Sequence, residues 1–138
     1  MISKKHINNE LELKNIYKEN IPYPHIVIDD FLEADFADEL LKSHEEYFTS
    51  SNGKLSYDTI DAIKLATDGE KDISEQGKKI IRYLNSGEVL EFINNIASID
   101  EPLIPDPYLI GGGFHYIQNG GYLNVHVDFN KHPKLKLD

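Results

Sequence analysis

Cysteine is absent from the 138 residues, which excludes a disulfide framework, a zinc–thiolate centre and a thiol nucleophile. Basic residues are scarce. Lys and Arg total 14 against 24 Asp and Glu, a formal net charge of -10, and they form no clustered stripe. No nucleic-acid partner and no anionic-membrane partner is therefore expected. No apolar run approaches the roughly 20 residues of a membrane span. The opening Met-Ile-Ser-Lys-Lys-His-Ile-Asn-Asn-Glu lacks the apolar core of a secretory signal, so a cytoplasmic location is the expectation. Repeats, low-complexity tracts and linkers are missing as well. Residues 1–20 read as a polar, loosely docked lead-in, with a short helix around Leu11 to Tyr17. Residues 21–138 read as a single domain long enough for a real core.

What is present divides by period. His25-Ile-Val-Ile28 is β-branched and predicts a strand, with Pro22 and Pro24 before it. From Asp35 the spacing turns helical, with Phe36, Leu40, Leu41, His44, Tyr47 and Phe48 on one stripe. Short strands are allowed at Lys54 to Tyr57 and Ala62 to Ala66. Ser74 opens a helix that buries Ile80, Ile81 and Leu84. Ser86 caps a further helix carrying Val89, Leu90, Ile93, Ile96 and Ala97. Pro102, Pro105 and Pro107 forbid more helix. A strand from Tyr108 to Ile117 follows, and Gly111-Gly-Gly113 inside it signals a bulge or a close approach. No helix and no Lys-Ser/Thr complete a phosphate loop there. Helices packed on one side of an antiparallel sheet, an α+β fold, are expected.

Chemistry concentrates in Tyr116-Ile-Gln-Asn-Gly-Gly-Tyr-Leu-Asn-Val-His-Val-Asp128. The Asn-Gly-Gly centre predicts a β-hairpin. On its second strand Tyr122, Asn124, His126 and Asp128 share one face, with Leu123, Val125, Val127 and Phe129 on the other, apolar one. An imidazole and a carboxylate aimed the same way from one strand are two of the three protein ligands of a non-haem iron(II) site. The spacing alone says little, since six histidines and twelve aspartates produce one His-x-Asp by chance about as often as not. Its bland alternative is a pair of exposed polar residues on an open sheet face. His44-Glu45-Glu46 is a weaker pair, because neighbours two apart on a helix do not share a face. His132 could reach a metal round a loop, though Pro133 beside it favours a turn. Hairpin register leaves one choice open. A four-residue loop, Gln118 to Gly121, sets His115 on the His126 face, and a five-residue loop, Ile117 to Gly121, sets Tyr116 there instead.

The segment from Leu103 to Asn130, with Tyr116, Gly-Gly, His126-x-Asp128 and Asp-Phe-Asn130, resembles the 2-oxoglutarate- and iron(II)-dependent oxygenases, in their prolyl-4-hydroxylase-like branch. Pro22 to Leu32 and the helix after it match more loosely. The resemblance implies a double-stranded β-helix (jelly-roll) core flanked by helices, with His126 and Asp128 as the first two iron ligands. Tyr116 would reach the far carboxylate of 2-oxoglutarate, which favours the five-residue loop. It also implies a dioxygenase that couples oxidative decarboxylation of the keto acid to hydroxylation of a second substrate, with ascorbate as an accessory reductant.

The chain departs from that pattern. The family's distal histidine, and the Arg or Lys that pairs with 2-oxoglutarate, lie well downstream of His-x-Asp, whereas this sequence stops ten residues after Asp128. The expectation is an incomplete jelly roll, inactive alone. Such a chain is an N-terminal fragment of a hydroxylase, or half of a split enzyme with a complementing C-terminal half. The alternative is a non-catalytic interaction module that retains the first half of the fold. Its substrate, small molecule or protein, is not legible.

Overall fold

Aliphatic stripes at helical spacing and two short β-rich runs organise the described part of the chain. The computed structural model describes residues 1–50, 54–60, 62–67, 69–70, 73–110, 112–127 and 131–136, with 54 and 55 as backbone alone. In order, the elements are α1 (Lys4–Ile7), α2 (Glu10–Glu19), α3 (Ala34–Thr49), β1 (Lys54–Asp58), β2 (Ala62–Thr67), α4 (Glu75–Leu84), α5 (Gly87–Ala97), β3 (His115–Tyr116) and β4 (Tyr122–Leu123). Helices accompany a small antiparallel sheet, so the class is α+β. Among the described residues no helix is long and apolar enough to cross a membrane. The chain divides into two compact units, Met1–Lys42 with Lys79–Pro105, and Ser43–Lys78 with Asp106–Asp138.

The first unit is helical. Ser86 accepts from Val89 N at 3.5 Å and opens α5 as its sequence suggests. Ser98, at φ 56°, closes it, and Asn94 secures the exit by donating to Ile99 O and accepting from Leu103 N. Phe92 and Ile96 meet Leu13 of α2 in the core, with Tyr17, Ile26, Ile28 and Phe31 around them. Three expectations change here. The helix near Leu11 is longer than expected, and it is packed on α5 through Leu13 and Tyr17 rather than loosely docked. His25 to Ile28 joins no ladder: Ile26 and Ile28 turn to the cluster while Val27 faces solvent. Burial on helices replaces strand pairing there. On α5 Phe92 is inward with Val89 and Ile96, while Ile93 is 40% exposed. The larger ring takes the core position because it removes more apolar surface from water.

The second unit holds the sheet. β1 and β2 pair antiparallel from Lys54↔Thr67 to Asp58↔Ile63. On the other side of β2, Tyr116 pairs with Leu65 and His115 with Ala66, then Leu123 with Ala62 and Tyr122 with Ile63. β3 and β4 thus lie in line along one edge of β2, each paired with β2. The expected hairpin is corrected to a single edge interrupted by a five-residue excursion, Ile117 to Gly121. The Asn-Gly-Gly turn itself forms: Gly121 N donates to Gln118 O at 2.8 Å, and Gly120 supplies a φ of +87°. Its product folds out and back without reversing the chain.

The strand expected from Tyr108 to Ile117 shrinks to two residues, because Leu109 at φ 49° and Gly113 at φ 141° break extension. Gly113 marks a close approach, as its type suggested. A Cβ there would lie 2.7 Å from Thr67 Oγ1, which instead accepts from Phe114 N at 3.1 Å.

Candidate functional site

Tyr116 is placed by stacking. Its ring lies at 13° to Phe48 of α3, centroids 5.4 Å apart, with His44 at 6.2 Å. Phe114 joins the group against His44 at 5.2 Å. Register gives the face. Leu65 and Ile63 are two apart on β2, so their partners Tyr116 and Tyr122 share one side of the sheet, and His115 falls on the other beside Lys64. Of the two register options, the five residues Ile117 to Gly121 are the ones set out between β3 and β4, and Tyr116 takes the Tyr122 face.

Beyond β4, residues 124–127 carry no ladder hydrogen bonds of a named strand. Two side chains hold this stretch to the β1–β2 turn. Tyr122 Oη donates to Thr59 O at 3.1 Å, and Asn124 Nδ2 donates to Ile60 O at 3.0 Å. His126 is exposed, and its Nδ1 lies 2.8 Å from Asn124 O. A carbonyl only accepts, so this bond requires a proton on Nδ1, and in the neutral ring Nε2 is then the nitrogen without one. That protonation pattern fits an iron-ligating imidazole. Asp128 lies outside the described residues, and Phe129 and Asn130 with it. The apolar layer expected behind the motif is not a buried one: Val125 is 103% exposed and Val127 is 93% exposed.

Three other histidines have definite partners. Burial pushes the His44 imidazole below its usual value, opposed by a hydrogen bond to the His115 backbone and by Glu45. The His115 ring is also lowered, by burial and then by the Lys64 ammonium. His132 sits in the turn that Pro133 suggested. Its Nδ1 accepts from Lys134 N at 3.2 Å and Leu135 N at 2.9 Å. Its Nε2 is enclosed 3.3 Å from Asp106 Oδ1, off the line of a directed hydrogen bond. Nδ1 thus closes the turn on itself and Nε2 faces the Asp106 carboxylate, which argues against His132 as a metal ligand in this arrangement.

Among the described residues, no three His, Asp or Glu side chains are grouped closely enough to hold a metal ion, a set that does not include Asp128. Tyr116 and His126 have different surroundings: the first leans on α3, the second on Asn124. Asn124 is the residue whose role the sequence concealed. Its position between Tyr122 and His126 on one alternating face was visible, but its bond to a turn more than sixty positions earlier was not. No family model, curated protein or solved structure matches the chain.

Proposed function

We propose that this chain carries the leading part of a 2-oxoglutarate- and iron(II)-dependent dioxygenase site of the prolyl-4-hydroxylase-like kind, built on the first portion of a jelly roll. The supporting observation is the order on the β2 edge: Tyr116 is fixed on the Tyr122 face, and the chain runs on to a His126 imidazole held through Nδ1 by the Asn124 carbonyl. His126 Nε2 and the Asp128 carboxylate would hold the metal, and the Tyr116 phenol would orient the far carboxylate of the keto acid. Bound there with 2-oxoglutarate, iron(II) supplies the oxidative decarboxylation that drives hydroxylation. Phe48 and His44 restrict the Tyr116 ring, so its hydroxyl position is set before co-substrate arrives. In this reading a distal histidine and a basic side chain from later strands of the fold complete the site.

Succinate formation tests the reading. It is expected with iron(II) and 2-oxoglutarate once a polypeptide carrying the later strands is supplied, and His126→Ala or Asp128→Ala should abolish it. Turnover by the 138 residues alone would show that the third ligand lies within them.

The exposed Val125 and Val127 favour a second reading, an interaction module whose apolar edge binds another chain without chemistry. A stable complex that forms succinate under no condition would select it.

A further inference from the structure

We infer that Asn124 is the positioning residue of the proposed metal site, fixing both the location and the tautomer of His126; the role toward metal rests on the iron-site reading above. No named strand contains residues 124–127, so something other than a ladder must tie His126 to the sheet. Asn124 does so from both of its ends. Its side-chain amide donates to Ile60 O at 3.0 Å, on the turn between β1 and β2. Its main-chain carbonyl receives His126 Nδ1–H at 2.8 Å. The amide anchors the peptide and the peptide orients the ring. At the base of that turn Thr59 N donates to Ala62 O at 3.0 Å and Ala62 N to Thr59 Oγ1 at 3.1 Å. Tyr122 Oη reaches the same turn at Thr59 O. The sheet is thereby connected to an imidazole outside it.

Chemistry adds a second consequence. Metal binds the imidazole nitrogen that carries no proton, and the hydrogen bond of the other nitrogen decides which one that is. A carbonyl partner at Nδ1 selects Nε2 for metal. Replacing the side chain of Asn124 leaves its carbonyl in the chain but frees the peptide to turn away, so the selection should weaken without loss of either proposed ligand.

The test uses the full 138-residue chain and three variants. Asn124→Ala removes the amide. Asn124→Asp keeps the shape but sets a carboxylate against the Ile60 carbonyl, and Asn124→Gln retains a donor. Long-range proton–nitrogen NMR at about pH 8, above the usual histidine range, reads the His126 tautomer without metal. Wild type is expected as the Nδ1–H form, Asn124→Ala and Asn124→Asp as mixtures shifted to Nε2–H, and Asn124→Gln as a partial rescue. Cobalt(II) titration with a polypeptide carrying the later strands supplied, followed by visible absorbance, should show the first two variants weakened by roughly 10-fold or more, as for loss of other groups that orient a metal-binding histidine. An Nε2–H wild type, or a tautomer unchanged in Asn124→Ala and Asn124→Asp, overturns the role of Asn124 whatever the metal does. Failure of wild type to bind cobalt(II) even with a polypeptide carrying the later strands supplied overturns the iron-site reading, and the tautomer result then decides by itself whether Asn124 orients His126.

Discussion

Individual side chains here separate what a ring does for stability from what its polar end does for chemistry. Tyr116→Phe keeps the stack on Phe48 and should unfold in urea close to wild type, while 2-oxoglutarate binding in the completed site falls. Tyr116→Ala removes the stack as well, and a loss of about 2–4 kcal/mol is expected, below the usual figure for a fully buried ring because this one is only half-buried. His44 and His115 should make the chain acid-sensitive. Both rings titrate below 6.5 when folded, so as pH falls past that value the unfolded chain takes up protons first and stability declines. The full contribution is present above about pH 6.5, and the decline levels off once the folded rings are also charged. A His44→Phe/His115→Gln double variant should flatten this slope in urea midpoints measured between about pH 8 and about pH 5. Glu45 beside His44 and Lys64 beside His115 remain in that variant, so any slope left behind belongs to other groups.

Among the elements, the helices were legible and the edge of the sheet was not. Ser86, Val89 and Ile96 declare α5 through a cap and a period, both local properties of the sequence. β3 and β4 depend on a partner some fifty to sixty positions earlier, and the Asn-Gly-Gly turn fits a hairpin and an excursion equally well because both need the same positive φ at glycine. Asn124 was hidden for the same reason: its partner Ile60 is remote in sequence. His126-x-Asp128 was readable as a motif, since ligand spacing is local, but the exposure of Val125 and Val127 depends on what packs against them. The excursion offers a direct check. Gly121 has no room for a side chain, as a Cβ would lie 2.6 Å from Ile63 O. Gly121→Ala should cost about 1–3 kcal/mol and broaden amide signals of Tyr122 and Asn124, whereas Gly120→Ala should act through backbone strain at φ +87° without such a clash.

For the molecule as a whole, two opposing surface properties govern behaviour in solution. A net charge of -10 keeps copies apart, while Val125, Val127 and Ile60 present apolar groups to water in the second unit. Raising salt screens the first and strengthens the second. Sedimentation velocity should therefore reveal concentration-dependent association that grows with ionic strength, and Val125→Lys/Val127→Lys should reduce it. The first unit has a different vulnerability: Phe92→Ala is expected to remove about 3–5 kcal/mol of stability, measured by urea unfolding. The interrupted edge on β2 has one further consequence, for how this chain tolerates change. In an unbroken strand, inserting one residue inverts the phase of every side chain after it. Between Tyr116 and Tyr122 the phase is instead reset by β2, because Leu65 and Ile63 dictate both faces whatever the length set out between them. An insertion among residues 117–121 should be absorbed there, leaving the stack of Tyr116 and the anchorage that leads to His126 in place, so this short excursion is where the chain can vary in length without scrambling its candidate site.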